Sequence, residues 1–139
     1  MIAEDAARFT LVITGAPYAS QAPQTALHFA RAAISGGHTI AQVFLYGDGV
    51  HLASNLTSPP SDETDWPAEW RAFLNEHQIP ATCCIASALR RGLLDDSEAR
   101  RYEKPASNVS APYQVAGLGD WLAATQDSTR TLYFNGGQS

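Results

Sequence analysis

The sequence predicts an α/β fold: a three-layer α/β/α single domain with a mostly parallel four- or five-stranded sheet. Three observations carry this. Residues 9–13 and 40–46 are continuous apolar, partly β-branched runs, the pattern of strands buried on both faces. Residues 22–35, between them, repeat apolar side chains at helical spacing, and a strand, helix and strand so spaced form a right-handed crossover that makes the two strands parallel. The alternation then continues, with a helical pattern over 66–77 followed by an apolar strand from residue 81. A chain of 139 residues with 45% hydrophobic content suits one core.

The first strand ends at Thr14-Gly15-Ala16-Pro17-Tyr18, where glycine and proline enforce a turn. Loop 14–20 has the position of a flavodoxin-like phosphate loop, although any tight strand-to-helix turn reads the same way. In helix 22–35, Ala26, Leu27, Ala30, Ala33 and Ile34 share one face and Gln24, His28, Arg31 and Ser35 the other. Pro23 fits its first turn and Gly36-Gly37 ends it. The second strand closes at Gly47-Asp48-Gly49, and 55–65, rich in Ser, Thr, Pro and Asp, reads as a loop over the sheet edge.

Asp65 then caps a helix that tolerates Pro67 in its first turn and brings Trp66, Trp70, Phe73, Leu74 and His77 onto one face. Packing on the sheet explains that aromatic stripe; stacking of Trp66 or Trp70 on a ligand is the alternative. Further on, Asp95 and Glu98 have capping-box spacing and open a short helix to about residue 102. A polar loop over 104–112 precedes a short strand at 113–115 and a turn at Gly117-Leu118-Gly119. A last helix at 120–126 points Trp121, Leu122 and Thr125 inward, and an edge strand at 131–134 leads to a frayed tail, 135–139.

Composition removes several function classes. A formal charge of −5 argues against direct binding of a nucleic-acid backbone. Residues 1–8 are small and acidic, unlike a secretory signal, and no apolar run approaches membrane-spanning length. Two cysteines form no disulfide framework, so the expected compartment is the cytoplasm. No Cys-x-x-Cys occurs and no histidine lies at ligand spacing from the cysteines, so no metal is expected. There is no Gly-x-Ser-x-Gly elbow or Walker loop, and Gly47 and Gly49 are followed by Leu52 where a dinucleotide fingerprint needs glycine.

The stretch with chemical promise is 81–92, an apolar strand that carries both cysteines and turns into a segment with Arg90 and Arg91. Cys84 falls at the carboxyl edge of the sheet beside a helix start, where α/β proteins place ligands and catalytic groups. A helix N-terminus or a nearby guanidinium favours the thiolate form of a cysteine, which makes an accessible one nucleophilic. The competing reading is an inert core thiol, since cysteine is among the most buried residue types. Strand alternation puts Cys83 and Ile85 on one side and Cys84 on the other, so the pair is not preset for chelation or for a disulfide.

Several segments together resemble the DsrE/TusD family of sulfur-relay proteins. They are Thr14-Gly15-Ala16-Pro17-Tyr18, Phe44-Leu45-Tyr46 with Gly49-Val50, Leu56-Thr57-Ser58-Pro59 with Ser61-Asp62-Glu63, the run from Cys84 through Arg90-Arg91-Gly92, Ser107-Asn108, and Gly117-Leu118-Gly119. The resemblance implies a DsrE/TusD-like sulfurtransferase domain over 9–134, with 1–8 a non-family extension and 135–139 a tail. It implies a persulfide on Cys84, with Cys83 at a position where the family requires no cysteine, and no cofactor. In the TusD branch, to which the Thr-Gly loop and Thr-Ser-Pro segment are similar, it implies a heterohexamer with TusB- and TusC-like subunits. That complex takes sulfur from a TusA-like donor and passes it to a TusE-like acceptor for 2-thiolation of the tRNA wobble uridine. In the DsrE branch it implies a DsrEFH complex that passes sulfur to DsrC in sulfur oxidation. The other-class alternatives are a non-catalytic scaffold and a small-ligand-binding α/β module. The apolar and aromatic content of 121–134 offers an interface as well as a core. Access for both donor and acceptor calls for a shallow, partner-facing site around Cys84, rimmed by the 55–65 loop.

Overall fold

The computed structural model describes residues 5–125 and 130–136, with the side chains of 122–125 outside that set. Five parallel strands form one sheet in the order β4-β3-β2-β1-β5. They are β1 (Arg8–Ile13), β2 (Thr39–Leu45), β3 (Ala81–Cys84), β4 (Tyr113–Ala116) and β5 (Arg130–Phe134). The helices are α1 (Ala22–Ser35), α2 (Trp66–His77), α3 (Ile85–Arg90), α4 (Asp96–Arg101) and α5 (Leu118–Thr125). The expected α/β fold is therefore present, with a sheet that is parallel throughout.

This strand order fixes the layers. From β1 to β4 each connection steps the same way across the sheet, and only the return from β4 to β5 steps back. Right-handed crossovers then stack α1 to α4 on one face and leave α5 on the other. Burial follows that asymmetry. The main core joins Leu11, Ile13, Val43, Leu45, Ala81 and Cys83 of the strands to Ala26, Leu27 and Ala30 of α1 and to Trp70, Phe73 and Leu74 of α2. The opposite face holds a small second cluster of Val12, Phe44 and Cys84, against which Trp121 of α5 packs. Nearer the middle of that face, Gln42 donates to Thr10 at 3.4 Å, a buried polar pair in register across β1 and β2.

Local signals set most element ends. Asp65 caps α2 as expected, its Oδ1 accepting from the Ala68 N–H at 3.1 Å. Asp95 Oδ1 accepts from the Glu98 N–H at 2.8 Å, but Glu98 does not complete a capping box: its Oε2 is buried without a hydrogen bond, with Arg101 at 3.8 Å. The aromatic stripe of α2 buries Trp70, Phe73 and Leu74, while His77 at its end stays exposed. Trp70 is fully buried, and its indole donates to the Pro23 carbonyl at 2.8 Å, tying α2 to the first turn of α1.

Three further expectations change. A 3₁₀ turn, Gly47–Ala53, follows β2; it lies so close to β1 that a Cβ on Gly49 would fall on the Ile13 carbonyl oxygen. The last helix begins at Leu118, two residues earlier than expected. The inward placement of Trp121 holds, whereas Leu122, Thr125 and residue 126 lie outside the described side chains or residues. Asn135 is not frayed, since its Oδ1 accepts from Thr14 Oγ1 at 2.8 Å; 137–139 lie outside the described residues.

Truncating Trp70 removes both a filled core volume and the bond to Pro23. Trp70→Ala is expected to cost about 3–5 kcal/mol of stability, read as a shift in the urea midpoint of the purified chain; a loss below about 1 kcal/mol would contradict this placement.

Candidate active site

Alternation along β3 separates the two sulfurs. Cys83 points into the main core and Cys84 into the small second cluster, and both are free thiols. Burial first, and the neighbouring Cys84 charge second, push the Cys83 thiol up to about 12. A thiol so disfavoured as an anion is no nucleophile near neutral pH. Across the β3–β4 ladder, Tyr113 shares this interior: its hydroxyl is buried without a hydrogen-bond partner, and burial, then Cys83, raise its pKa against a lowering by Arg71.

Cys84 ends β3 and is the residue before α3, so the expected strand-end, helix-start position is present. Its surroundings differ from those expected. Only 6% of Cys84 is exposed, because Val12 and Phe44 flank it and Trp121 packs onto the same cluster. The Trp121 ring stacks on Phe44 at 4.8 Å and 24°, and Phe44 lies beside Tyr46 at 6.3 Å and 30°. An apolar cleft of about 210 Å³ opens alongside, lined by Val12, Phe44, Tyr46, Leu118, Trp121 and Tyr133 among others. Tyr46, Leu118 and Tyr133 are exposed on its rim. The site is thus an apolar, aromatic pocket edge with a covered thiol, in place of the shallow open surface expected.

The residues that follow the cysteine build the local scaffold. Ser87 of α3 accepts from the Gly47 N–H at 2.9 Å, pinning the helix to the turn after β2. Arg91 Nε meets Asp48 Oδ1 at 2.8 Å and its Nη1 donates to the Ser87 carbonyl at 3.0 Å. The guanidinium expected to favour a thiolate is therefore committed to Asp48, and Arg90 is exposed to solvent. Gly92 stands at φ +74°, which lets the chain leave α3 without strain. Asn108 holds the segment beyond: it donates to the Gly92 carbonyl at 3.1 Å and accepts from the Leu94 N–H at 2.8 Å.

The 55–65 loop does not rim this thiol. Its bonds run elsewhere, from the Asn55 N–H to the Asn108 carbonyl at 2.8 Å and from the Tyr18 hydroxyl to the Thr64 carbonyl at 2.6 Å. Loop 14–20 lines a separate cleft of about 540 Å³ with Asp48, Asn135 and Gly136, at the carboxyl ends of β1 and β5. Among the described residues no group of three or more His, Cys, Asp or Glu could hold a metal ion, and no helix is long and apolar enough to cross a membrane. Sequence reasoning missed the cover over Cys84: Phe44 at the end of β2 and Trp121 of α5 come from distant elements, and the only available signal was an aromatic on each.

An α/β domain with a strand-end thiol is the class this geometry defines. The profile of the DsrE/DsrF-like family matches residues 7–134, and the chain belongs to that family. It is 42% identical to the protein named sulfurtransferase TusD homolog of Pseudomonas aeruginosa, over 93% of this chain and 98% of the relative. It is 39% identical to sulfurtransferase TusD of Salmonella typhi, over 91% of this chain and 99% of that one. The crystal structure of the YchN protein from E. coli superposes with a TM-score of 0.71 over 92% of this chain and 99% of that chain; its 19% identity bears on the fold alone.

Cys83 makes stability pH-dependent with a definite sign. Unfolded, it ionises near 9.0, and folded near about 12, so the folded state keeps a proton that the unfolded state has lost. Its stabilising effect is complete below pH 9.0 and is lost as pH rises toward about 12, with Tyr113 acting in the same direction. Between about pH 8 and about pH 10.5 the urea midpoint should therefore fall less in Cys83→Ala than in the parent. Equal falls would show that this thiol is not held protonated.

Proposed function

We propose that this chain is a sulfurtransferase subunit that carries sulfur as a persulfide on Cys84, in the relay that ends in 2-thiolation of the tRNA wobble uridine. The observation that carries this reading is twofold in one place: relatives spanning nearly the whole chain are named sulfurtransferases, and the one thiol turned away from the main core is Cys84.

The chemistry needs only displacement at sulfur. The Cys84 thiolate attacks the outer sulfur of a donor persulfide, R–S–SH; the donor S–S bond breaks, R–S⁻ leaves, and the proton stays on the sulfur now held as Cys84–S–SH. An acceptor thiolate then attacks that outer sulfur, and Cys84 leaves as thiolate. No net oxidation occurs, so no electron carrier takes part. Donor and acceptor are proposed to be TusA-like and TusE-like proteins, and TusB- and TusC-like subunits to complete a hetero-oligomer in the cytoplasm. The exposed Tyr46, Leu118 and Tyr133 around the cleft give a partner an aromatic rim to cover.

Incubation with a persulfide donor should add one sulfur atom to the Cys84 peptide, reversibly with reductant. The adduct should vanish in Cys84→Ser and persist in Cys83→Ala, by peptide mass spectrometry. Its persistence in Cys84→Ser would move the carrier role off this residue. Co-expression with TusB- and TusC-like chains should shift the protein to a larger species by light scattering. A chain that stays monomeric yet restores wobble-uridine thiolation to a strain lacking its own relay subunit would overturn the obligate complex.

A further inference from the structure

The position of Trp121 accounts for the covered thiol. It packs onto the cluster of Val12, Phe44 and Cys84 from α5, the one helix among the described residues that the topology places on this face of the sheet. Three features mark this cover as movable. The indole Nε1 is buried there without a hydrogen-bond partner, so the covering position forfeits a donor that water would satisfy. The apolar cleft of about 210 Å³ beside the ring, of which Trp121 forms one wall, leaves space next to the indole. At the base of α5, a Cβ added to Gly117 or to Gly119 would meet nothing within 4 Å among the described residues, and neither glycine has positive φ. Close approach and left-handed backbone are the two usual structural reasons for glycine. With both absent, backbone freedom is the property these glycines supply, at the point where α5 would pivot.

We propose that Trp121 is a gate over Cys84. Closed, the indole lies on Phe44 and covers the thiol; open, α5 pivots at Gly117 and Gly119 and the sulfur faces the aromatic cleft, where a second thiol can approach. The purpose of the gate rests on Cys84 being the sulfur carrier, but its existence is testable without sulfur transfer. Trp121 touches the thiol's surroundings and controls access; it takes no part in bond making.

The test is native-state alkylation with iodoacetamide at fixed pH, read as the ratio of Cys84 to Cys83 labelling by peptide mass spectrometry. Taking the ratio cancels any general loosening of the fold, which would expose both residues. With the open state a minor population of about a tenth or less, Trp121→Ala should raise the ratio about tenfold or more. Alanine at both Gly117 and Gly119 should lower it by stiffening the pivot. An unchanged or lowered ratio in Trp121→Ala overturns the gate. Persulfide loading is measured in parallel: a raised ratio with no sulfur adduct on Cys84 keeps the gate and removes the carrier reading, whereas loading with an unchanged ratio does the reverse.

Discussion

The handedness of parallel crossovers is the constraint on which the site depends. Because every connection from β1 to β4 steps one way and only the last steps back, four helices share one face of the sheet and α5 has the other. A two-residue alternation then does the rest, sending Cys83 under α1 to α4 and Cys84 toward α5. Two adjacent, chemically identical side chains thus acquire different surroundings from topology alone. One is locked in a core that disfavours its anion, and the other sits beneath α5.

The segment after Cys84 owes as much to scaffolding as to reactivity. Ser87, Arg91 and Asp48 bind α3 to the turn that follows β2, and Asn108 fastens the chain beyond Gly92. Gly49 lets that turn lie against the end of β1. The carboxyl ends of β1, β2 and β3 are thereby fixed relative to one another, which sets where Val12, Phe44 and Cys84 meet. A surface ion pair such as Arg91 to Asp48 contributes about 0–1 kcal/mol, so its value is positional.

The fold was legible wherever a local rule applied. Periodicity placed β1, α1 and β2, the Asp65 and Asp95 side chains marked helix starts, and alternation assigned opposite faces to the two cysteines. What sequence could not supply was contact between distant elements. The exposure of Cys84 depends on Trp121, and the availability of Arg91 on Asp48; neither partner lies within a helical turn or a strand pair of its residue. The start of α5 was misplaced for a different reason: glycines at 117 and 119 read as a turn, yet Gly119 lies inside the first turn of the helix.

A covered thiol is compatible with sulfur carriage once the lifetime of the cargo is considered. The outer sulfur of a persulfide is open to attack by any thiolate that reaches it, small thiols included, by the same exchange that delivers it to a partner. A carrier with a fully exposed cysteine would surrender its sulfur unselectively. An apolar cover slows all such attack by excluding water and solutes, and a cover that moves confines transfer to partners able to engage the opened cleft. The polar pair Thr10–Gln42 and the aromatic group of Phe44, Tyr46 and Trp121 divide the thin face accordingly: hydrogen bonding holds its middle, while the carboxyl edge relies on ring packing. Ring contacts lack the directional demands of hydrogen bonds, so they can be broken and remade at the edge while the middle of the sheet stays paired.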